Sequence, residues 1–308
     1  MVPAPQVSVV IPVFNGEQTI VRALNSVFAQ TFSSFEIIVV DDASSDRTAD
    51  IIASYSDRLT IIRSTENRGA GAARNTGIAE ARGRWVAFLD ADDAWKPTKL
   101  ERQIDLLERS RKSRAACATG YHLEKDGRKR AISLNLTPEQ FRRDILFGCT
   151  ISPGSTLIVE RYVFDQMGGF DESFRRLEDW DWLLRFSERF EMDFVPEPLA
   201  EIYLTPRDFP PSIADTDPVH AGICRMGDKH AARLGSFRKR MQLKSSLLIE
   251  HAAALHRNSR PLAAALYVIA GLAVYPVRNA AFFRTLWRAT KDRIIRQTVK
   301  RWRDWAAR

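Results

Sequence analysis

Two hydrophobic periods alternate along residues 7–110. A short apolar run at 7–11, Val7-Ser-Val-Val-Ile11, closed by Pro12 and the turn Asn15-Gly16, predicts a buried strand. Residues 17–30 follow at helical spacing, with Ile20, Leu24, Val27 and Phe28 on one face. A second apolar run at 36–40 stops at Asp41-Asp42, and Ser45 and Asp46 can cap the next helix, whose apolar face holds Ile51 and Ile52. Strand 59–63, helix 70–80, strand 84–89 and helix 97–110 continue the series, with Pro97 suited to a first helical turn. Strands apolar on both faces, separated by helices, predict an α/β fold with a mostly parallel sheet covered by helices on both sides.

Beyond residue 114 the pattern loosens. A strand is predicted at 155–159, a helix at 178–190 and a last strand at 200–204. Residues 205–219 contain four Pro and three Asp, which predicts a loop long enough to act as a lid. Everything after about 236 reads as helix. The expected organisation is a catalytic domain over 1–205, a mobile linker over 206–235 and a basic helical region over 236–308.

Charge sharpens this division. Of the 308 residues, 237–308 hold 16 Lys/Arg against 3 Asp/Glu, while 1–236 hold 30 against 35. An acidic body with a basic tail predicts that the tail seeks an anionic surface, either lipid headgroups or nucleic acid. In 283–305, Phe283, Trp287, Ile294, Thr298, Trp302 and Trp305 form one helical stripe among Arg and Lys, which fits a membrane surface or, alternatively, a bundle with a solvated basic face. The apolar stretch 261–277 holds Gly271 and Pro276 and falls short of the ~20 residues of a membrane span. It reads as a buried or interfacial helix. No basic residue precedes the first apolar run, so no signal peptide is expected. Three widely spaced Cys and five His without ligand spacing argue against zinc and disulfides, which suits a reducing, cytoplasmic setting.

Ligands of parallel sheets bind beyond the carboxyl ends of the strands. The candidates are therefore Pro12, Val13, Phe14 and Asn15; Asp41 and Asp42; Asn67, Arg68 and Gly69; and Asp90, Asp92 and Asp93. Carboxylates gathered at Asp90, Asp92 and Asp93 need a cation, and oxygen-only ligands suit Mg²⁺ or Mn²⁺ bound with phosphate; the other reading is a turn capping the next helix, a role expected of Asp93 in any case. Asp41 can accept the imide N–H of a uracil ring on which Phe14 stacks, or Asp41-Asp42 can simply cap a helix. Gly69-Ala-Gly71-Ala-Ala-Arg74 falls one glycine short of a dinucleotide fingerprint. It reads instead as a helix N-terminus with Arg68 or Arg74 reaching a diphosphate. At 177–185, Asp179 joins Leu183, Phe186 and Phe190 on one helical side, while Glu178, Asp181, Arg185 and Glu188 form the polar side. Asp179 is either a general base or an acid stabilising a helix start.

The segments Val7-Ser-Val-Val-Ile-Pro-Val-Phe-Asn15, Phe35-Glu-Ile-Ile-Val-Val-Asp-Asp-Ala-Ser-Ser-Asp46, Asn67-Arg-Gly-Ala-Gly-Ala-Ala-Arg-Asn-Thr-Gly77, Phe88-Leu-Asp-Ala-Asp-Asp93 and Leu177-Glu-Asp-Trp-Asp181 together resemble the inverting glycosyltransferases of family 2. That resemblance covers about residues 5–205 and implies a GT-A fold, a Rossmann-like mostly parallel sheet, followed here by a C-terminal helical segment. It implies that Pro12, Val13, Phe14 and Asn15 line the nucleoside pocket, with Phe14 in place of a frequent tyrosine. Asp41 would bind the base, Arg74 would lie near the diphosphate, Asp90 and Asp92 would form the D-x-D pair with Asp92 on Mn²⁺ or Mg²⁺, and Asp179 would be the base. Glu178, Asp42 and Asn67 would support them.

The implied partners are a nucleotide-sugar donor, most readily a UDP-sugar, a glycan or lipid-linked acceptor and an anionic membrane surface, with no nucleic acid. The implied place is the cytoplasmic face of the plasma membrane, in surface-polysaccharide assembly. Two other functions stay open at this point: a metal-dependent nucleotidyltransferase, which would want a basic glycine-rich loop where Phe14 stands, and a non-catalytic nucleotide-sugar-binding protein.

Overall fold

A computed structural model describes residues 4–110, 114–125, 127–204, 216–257 and 260–275. It divides into two units, the first made of Met1–Phe141, Thr150–Phe174 and Asp181–Thr205, the second of Arg142–Cys149, Arg175–Trp180 and Pro206–Arg308. In the first unit the alternating periods become alternating elements. These are β1 (Val7–Val13), α1 (Ile20–Phe28), β2 (Phe35–Asp41), α2 (Thr48–Ala53), β3 (Thr60–Arg63), α3 (Ala70–Glu80) and β4 (Trp85–Phe88). A two-residue β5 (Ala94–Trp95) precedes α4 (Lys99–Arg109). Then come β6 (Ala116–Lys125), β7 (Arg128–Ile132), α5 (Pro138–Asp144), which runs from the first unit into the second, a single 3-10 turn (Ile145–Phe147) in the second unit and, back in the first, α6 (Pro153–Thr156), β8 (Leu157–Glu160) and α7 (Tyr162–Met167). Next, α8 (Glu178–Arg189) begins in the second unit and continues into the first, followed by β9 (Met192–Leu204). The second unit adds α9 (Thr216–Arg233), α10 (Phe237–Arg257) and α11 (Pro261–Val274).

Among the described residues nine strands form one sheet in the order β3-β2-β1-β4-β8-β6-β9-β5, with β7 on β6. The β3-β2-β1-β4 half is parallel, as the apolar runs predict. The other half is mixed: β8 runs antiparallel to β4 and β6, and β9 lies parallel to β6. Val7, Val9, Ile11, Ile37 and Val39 are buried with Ile20, Leu24 and Val27 of α1, the contact that the helical spacing foretold. Fully burying a side chain of this size contributes about 1.5–3 kcal/mol.

Several boundaries differ from expectation. β1 continues through Pro12 to Val13, because its pairing with β4 ends at Val10↔Phe88 while pairing with β2 runs on to Val13↔Asp41. The strand expected at 155–159 starts at Leu157, since Pro153, Gly154 and Ser155 form the turn α6. The last strand begins eight residues before the expected 200, despite Pro196 and Pro198; its register against β6 shifts between Thr119 and Tyr121, which absorbs the proline interruptions. Within the range expected to be linker, 206–235, α9 occupies Thr216–Arg233. The expected lid at 205–219 lies mostly, and the 283–305 stripe wholly, outside the described residues.

Candidate functional site

Three adjacent parallel strands bring the chemistry to one edge. Val13 closes β1 in register with Asp41, which closes β2, and Asp90 stands just past the end of β4. Strands lie about 4.8 Å apart, so with β1 between them Asp41 and Asp90 stand about 10 Å from each other along the edge. Pro12 and Val13 are buried, whereas Phe14, where the strand releases the chain, is 50% exposed. Asn15 ties this end to the β2–α2 loop: its N–H donates to Ser44 Oγ at 2.9 Å and its Oδ1 accepts the Ser45 N–H at 2.8 Å.

Asp41 is fully buried. Its Oδ1 accepts the Ser44 N–H at 2.9 Å, and its Oδ2 has no hydrogen-bond donor among the described residues. Arg63 Nε stands 3.4 Å from that oxygen at ion-pair range, on a largely exposed side chain. A buried carboxylate oxygen without a donor is costly and suits a ligand N–H. Asp42 does different work. Its two oxygens accept the N–H groups of Arg68 at 3.0 Å and Gly69 at 2.7 Å, and its carbonyl accepts Asn67 Nδ2 at 3.4 Å. It therefore shapes the loop into α3, whose cap, Gly69, has φ 93°. Arg68 pairs with Glu172. Of the two arginines considered for a diphosphate, Arg74 is the one turned to the strand edge: it is buried, and its guanidinium holds Asp90 Oδ1 at 2.6 Å.

The D-x-D loop is held by residues that no motif announced. Ser155 Oγ accepts the Asp90 N–H at 3.1 Å and donates to Asp93 Oδ2 at 2.5 Å. Asp93 Oδ1 accepts the Tyr203 N–H at 3.0 Å. Burial pushes the Asp93 carboxyl well above the usual carboxylate range, and the neighbouring charges of Asp90 and Asp92 add to the effect. Asp93 is thus a buried tie between Ser155 and β9, not the expected cap of α4, whose cap position is Thr98. Arg22 donates to the Asp92 carbonyl, with its guanidinium 3.8 Å from the centre of the Tyr203 ring. Gly154 passes so close to Asp90 that a Cβ there would lie 2.0 Å from Oδ2. The only trace of this support in the sequence is the Pro153-Gly154-Ser155 turn signature.

Backbone strain marks the same places. Among the described residues the non-glycine positions with left-handed φ are Asn15 (51°), Ala43 (62°), Ser152 (46°) and Leu177 (71°). They follow β1, follow β2, precede α6 and precede α8, at about 1–3 kcal/mol apiece.

In the second unit, Glu178 and Asp179 open α8 and are half-buried. Asp179 Oδ1 accepts the Trp180 N–H at 2.7 Å, and the Trp180 indole donates to the Ile145 carbonyl at 2.6 Å. Farther along α8, in the first unit, the side read as polar is partly buried. Arg185 Nε pairs with Asp181 at 2.9 Å, and its other nitrogens donate to the carbonyls of Met167 at 3.1 Å and Gly169 at 2.7 Å. A buried pair with its remaining hydrogens satisfied can replace a solvated face.

Among the described residues no set of three or more His, Cys, Asp or Glu side chains is arranged to hold a metal ion. Mg²⁺ and Mn²⁺ that arrive with a diphosphate need only one or two carboxylates, because phosphate and water complete the shell. Asp90 and Asp92 are hard oxygen donors of that kind, so the residues present fit an ion shared with a ligand rather than a standing metal centre.

The family model for glycosyl transferase family 2 matches residues 8–168. A putative teichuronic acid biosynthesis glycosyltransferase of Bacillus subtilis, TuaG, is 35% identical over 209 residues, covering 65% of this chain and 79% of that protein. An uncharacterized glycosyltransferase of Rickettsia prowazekii is 32% identical over 194 residues, 59% of each chain, so this chain spans under two thirds of that relative's length. Among solved structures, the mannosyltransferase PcManGT from Pyrobaculum calidifontis, in complex with GDP-Man and Mn²⁺, superposes with a TM-score of 0.60 over 99% of this chain and 87% of that one at 19% identity. TarS 1-349 of S. aureus, in complex with UDP-GlcNAc, does so with a TM-score of 0.57 over 86% and 89% at 18% identity. These likenesses show a GT-A-like fold.

Proposed function

The chain belongs to glycosyl transferase family 2, and from that premise we infer that it moves a sugar from a nucleoside diphosphate donor to an acceptor hydroxyl with inversion. The observation that carries the reading is the buried Asp41 Oδ2, which has no hydrogen-bond donor among the described residues, at a strand end in register with Val13, the residue before exposed Phe14. A flat ring stacked on Phe14 could give an imide N–H to Asp41, as uracil does, so the donor this reading prefers is a UDP-sugar. Pro12 and Val13 form the floor behind Phe14, and Asn15 fixes the loop that carries it.

Arg74 and Asp90 form the next station, where the diphosphate lies. Asp92, with Asp90, would hold Mn²⁺ or Mg²⁺, which supplies charge neutralisation for the departing diphosphate. The chain's own residues do the rest. Arg74 supplies fixed positive charge beside the leaving group, Phe14 and Asp41 hold the base, and Asp179 removes the proton from the acceptor hydroxyl as it attacks the anomeric carbon. Asp42, Asn67 and Glu178 position these groups. A single displacement inverts the anomeric centre.

TuaG is a putative teichuronic acid biosynthesis glycosyltransferase, and a glycan or lipid-linked acceptor in surface-polysaccharide assembly is the corresponding reading here. We assign catalysis to 1–205 and attachment to an anionic membrane surface, on its cytoplasmic side, to the basic region from 236. Among the described residues no helix is long and apolar enough to cross a membrane.

The test pairs transfer with donor binding. With Mn²⁺ and a panel of UDP- and GDP-sugars, Asp179→Asn should lower transfer by about 10²-fold or more while leaving donor affinity in place. A variant as active as its parent would remove Asp179 from the role, and a parent that binds donor without transferring or hydrolysing it would make the protein a binder only.

A further inference from the structure

Along α11 one face is buried and the other is bare. Ala264, Val268 and Gly271 pack toward α10, where Ser245 Oγ donates to the Gly271 carbonyl at 2.7 Å, in a small core with Ile249, Ala252 and Leu255. The opposite face presents Leu262 at 84%, Leu266 at 67% and Ile269 at 62% exposure, spaced by four and three residues on one side of the helix. No charged residue occurs between Pro261 and Val274. An isolated exposed leucine needs no explanation, but a continuous apolar stripe on a helix marks a contact surface.

Cations frame this stripe at both ends. Exposed Arg260 precedes α11. At the other end Tyr275 accepts bonds from Arg238 at 2.9 Å and Gln242 at 3.1 Å, which places the exposed Arg238 of α10 beside it. That rim selects among possible occupants. In a two-fold pair of copies the same patch faces itself, so these cations would meet their own equivalents. The segment 276–308 is itself basic, with 10 Lys/Arg against 2 Asp/Glu, and would bring more positive charge to a positive rim. An anionic lipid surface satisfies both features, accepting the apolar side chains at the acyl boundary and the cations at the headgroups.

We propose that the exposed face of α11 is the membrane-docking surface, with Leu262, Leu266 and Ile269 entering an anionic bilayer interface. This rests on the peripheral attachment inferred above and assigns it to particular residues. The test is flotation of the full chain with phosphatidylglycerol-containing phosphatidylcholine vesicles and with pure phosphatidylcholine vesicles, at low salt. The unmodified chain should float with the anionic vesicles only. The triple substitution Leu262→Glu, Leu266→Glu and Ile269→Glu, all at solvent-facing positions, should retain the parent's circular dichroism and melting temperature yet partition at least about tenfold less. Failure of the unmodified chain to float overturns membrane attachment altogether. Undiminished flotation of the triple variant overturns the α11 assignment alone. If the lipid-free parent sediments as a dimer and the variant as a monomer, the face belongs to a second copy and the proposal falls.

Discussion

Replacing Gly154 by alanine adds one methyl group at the point where the chain passes Asp90. The new Cβ would lie 2.0 Å from Oδ2, 2.6 Å from Cγ and 2.8 Å from Oδ1 of that carboxylate. That is roughly 1.5 Å inside normal contact for the closest pair. The carboxylate cannot simply step back, because Arg74 holds Oδ1 at 2.6 Å and Ser155 holds the Asp90 backbone N–H at 3.1 Å. It must rotate or drag the turn with it, and either movement loosens the Arg74 pair. Arg74 is nearly buried but Asp90 is about one-third exposed, so water can compensate in part. The stability loss should then stay near the ordinary overpacking range, about 1–3 kcal/mol. Function should suffer more, since a displacement of about 1 Å at a reacting centre costs about 10²-fold. The expected result is a folded Gly154→Ala protein with transfer kcat/KM down by about that factor and weaker UDP-sugar binding by calorimetry with Mn²⁺. Gly235→Ala is the control, because nothing lies within 4 Å of a Cβ there. Parental binding and activity in Gly154→Ala would refute the reasoning, as would activity lost only together with the folded state.

Asp41→Asn tests base recognition: the amide can keep the Ser44 contact but sets an N–H donor against the donor of the ring. Loss of a charged hydrogen bond of about 1.5–3 kcal/mol should weaken UDP by roughly 10- to 150-fold in calorimetry, and unchanged affinity would move the base elsewhere. Lys99 offers a pH test away from the strand edge. It is fully buried, donates to Gln103 Oε1 at 2.8 Å and sits 4.0 Å from the centre of the Trp95 ring. Burial draws its pKa from the ordinary 10.5 down to about 7, with negative charge on Cys117 acting the other way. Between these values the unfolded chain binds more protons than the folded one, so Lys99 makes stability rise with pH above about 7, by at most about 1.4 kcal/mol per pH unit. Burial also pushes Cys117 from 9.0 up to about 12, which acts in the opposite sense above pH 9. Urea unfolding from pH 7 to 9 should therefore show a positive slope that Lys99→Met flattens, and an unaltered slope would mean that Lys99 stays charged inside.

The parts of the fold written locally were legible without coordinates. The runs at 7–11, 36–40 and 84–89 are apolar on both faces, which forces a covered parallel half-sheet, and a parallel half-sheet places whatever follows each strand on one rim. For that reason Phe14, Asp41, Asp90 and Asp92 were open to reading from the order of residues alone. What they do with their atoms was not. Asp41 and Asp42 are neighbours of one type, yet one keeps a buried oxygen that has no hydrogen-bond donor among the described residues while the other spends both oxygens on Arg68 and Gly69. The choice depends on which loop folds over each.

Long-range support was equally hidden. Ser155 reaches Asp93 across 62 residues, and the Tyr203 N–H reaches the same carboxylate across 110, and no local period encodes a partner at such distances. The mixed half of the sheet, the buried Asp181–Arg185 pair and the bare face of α11 belong to the same class. Hydrophobic spacing states which side chains avoid water one element at a time. Only packing decides which element covers them, which carboxylate finds a donor and which apolar face is left for something outside the chain.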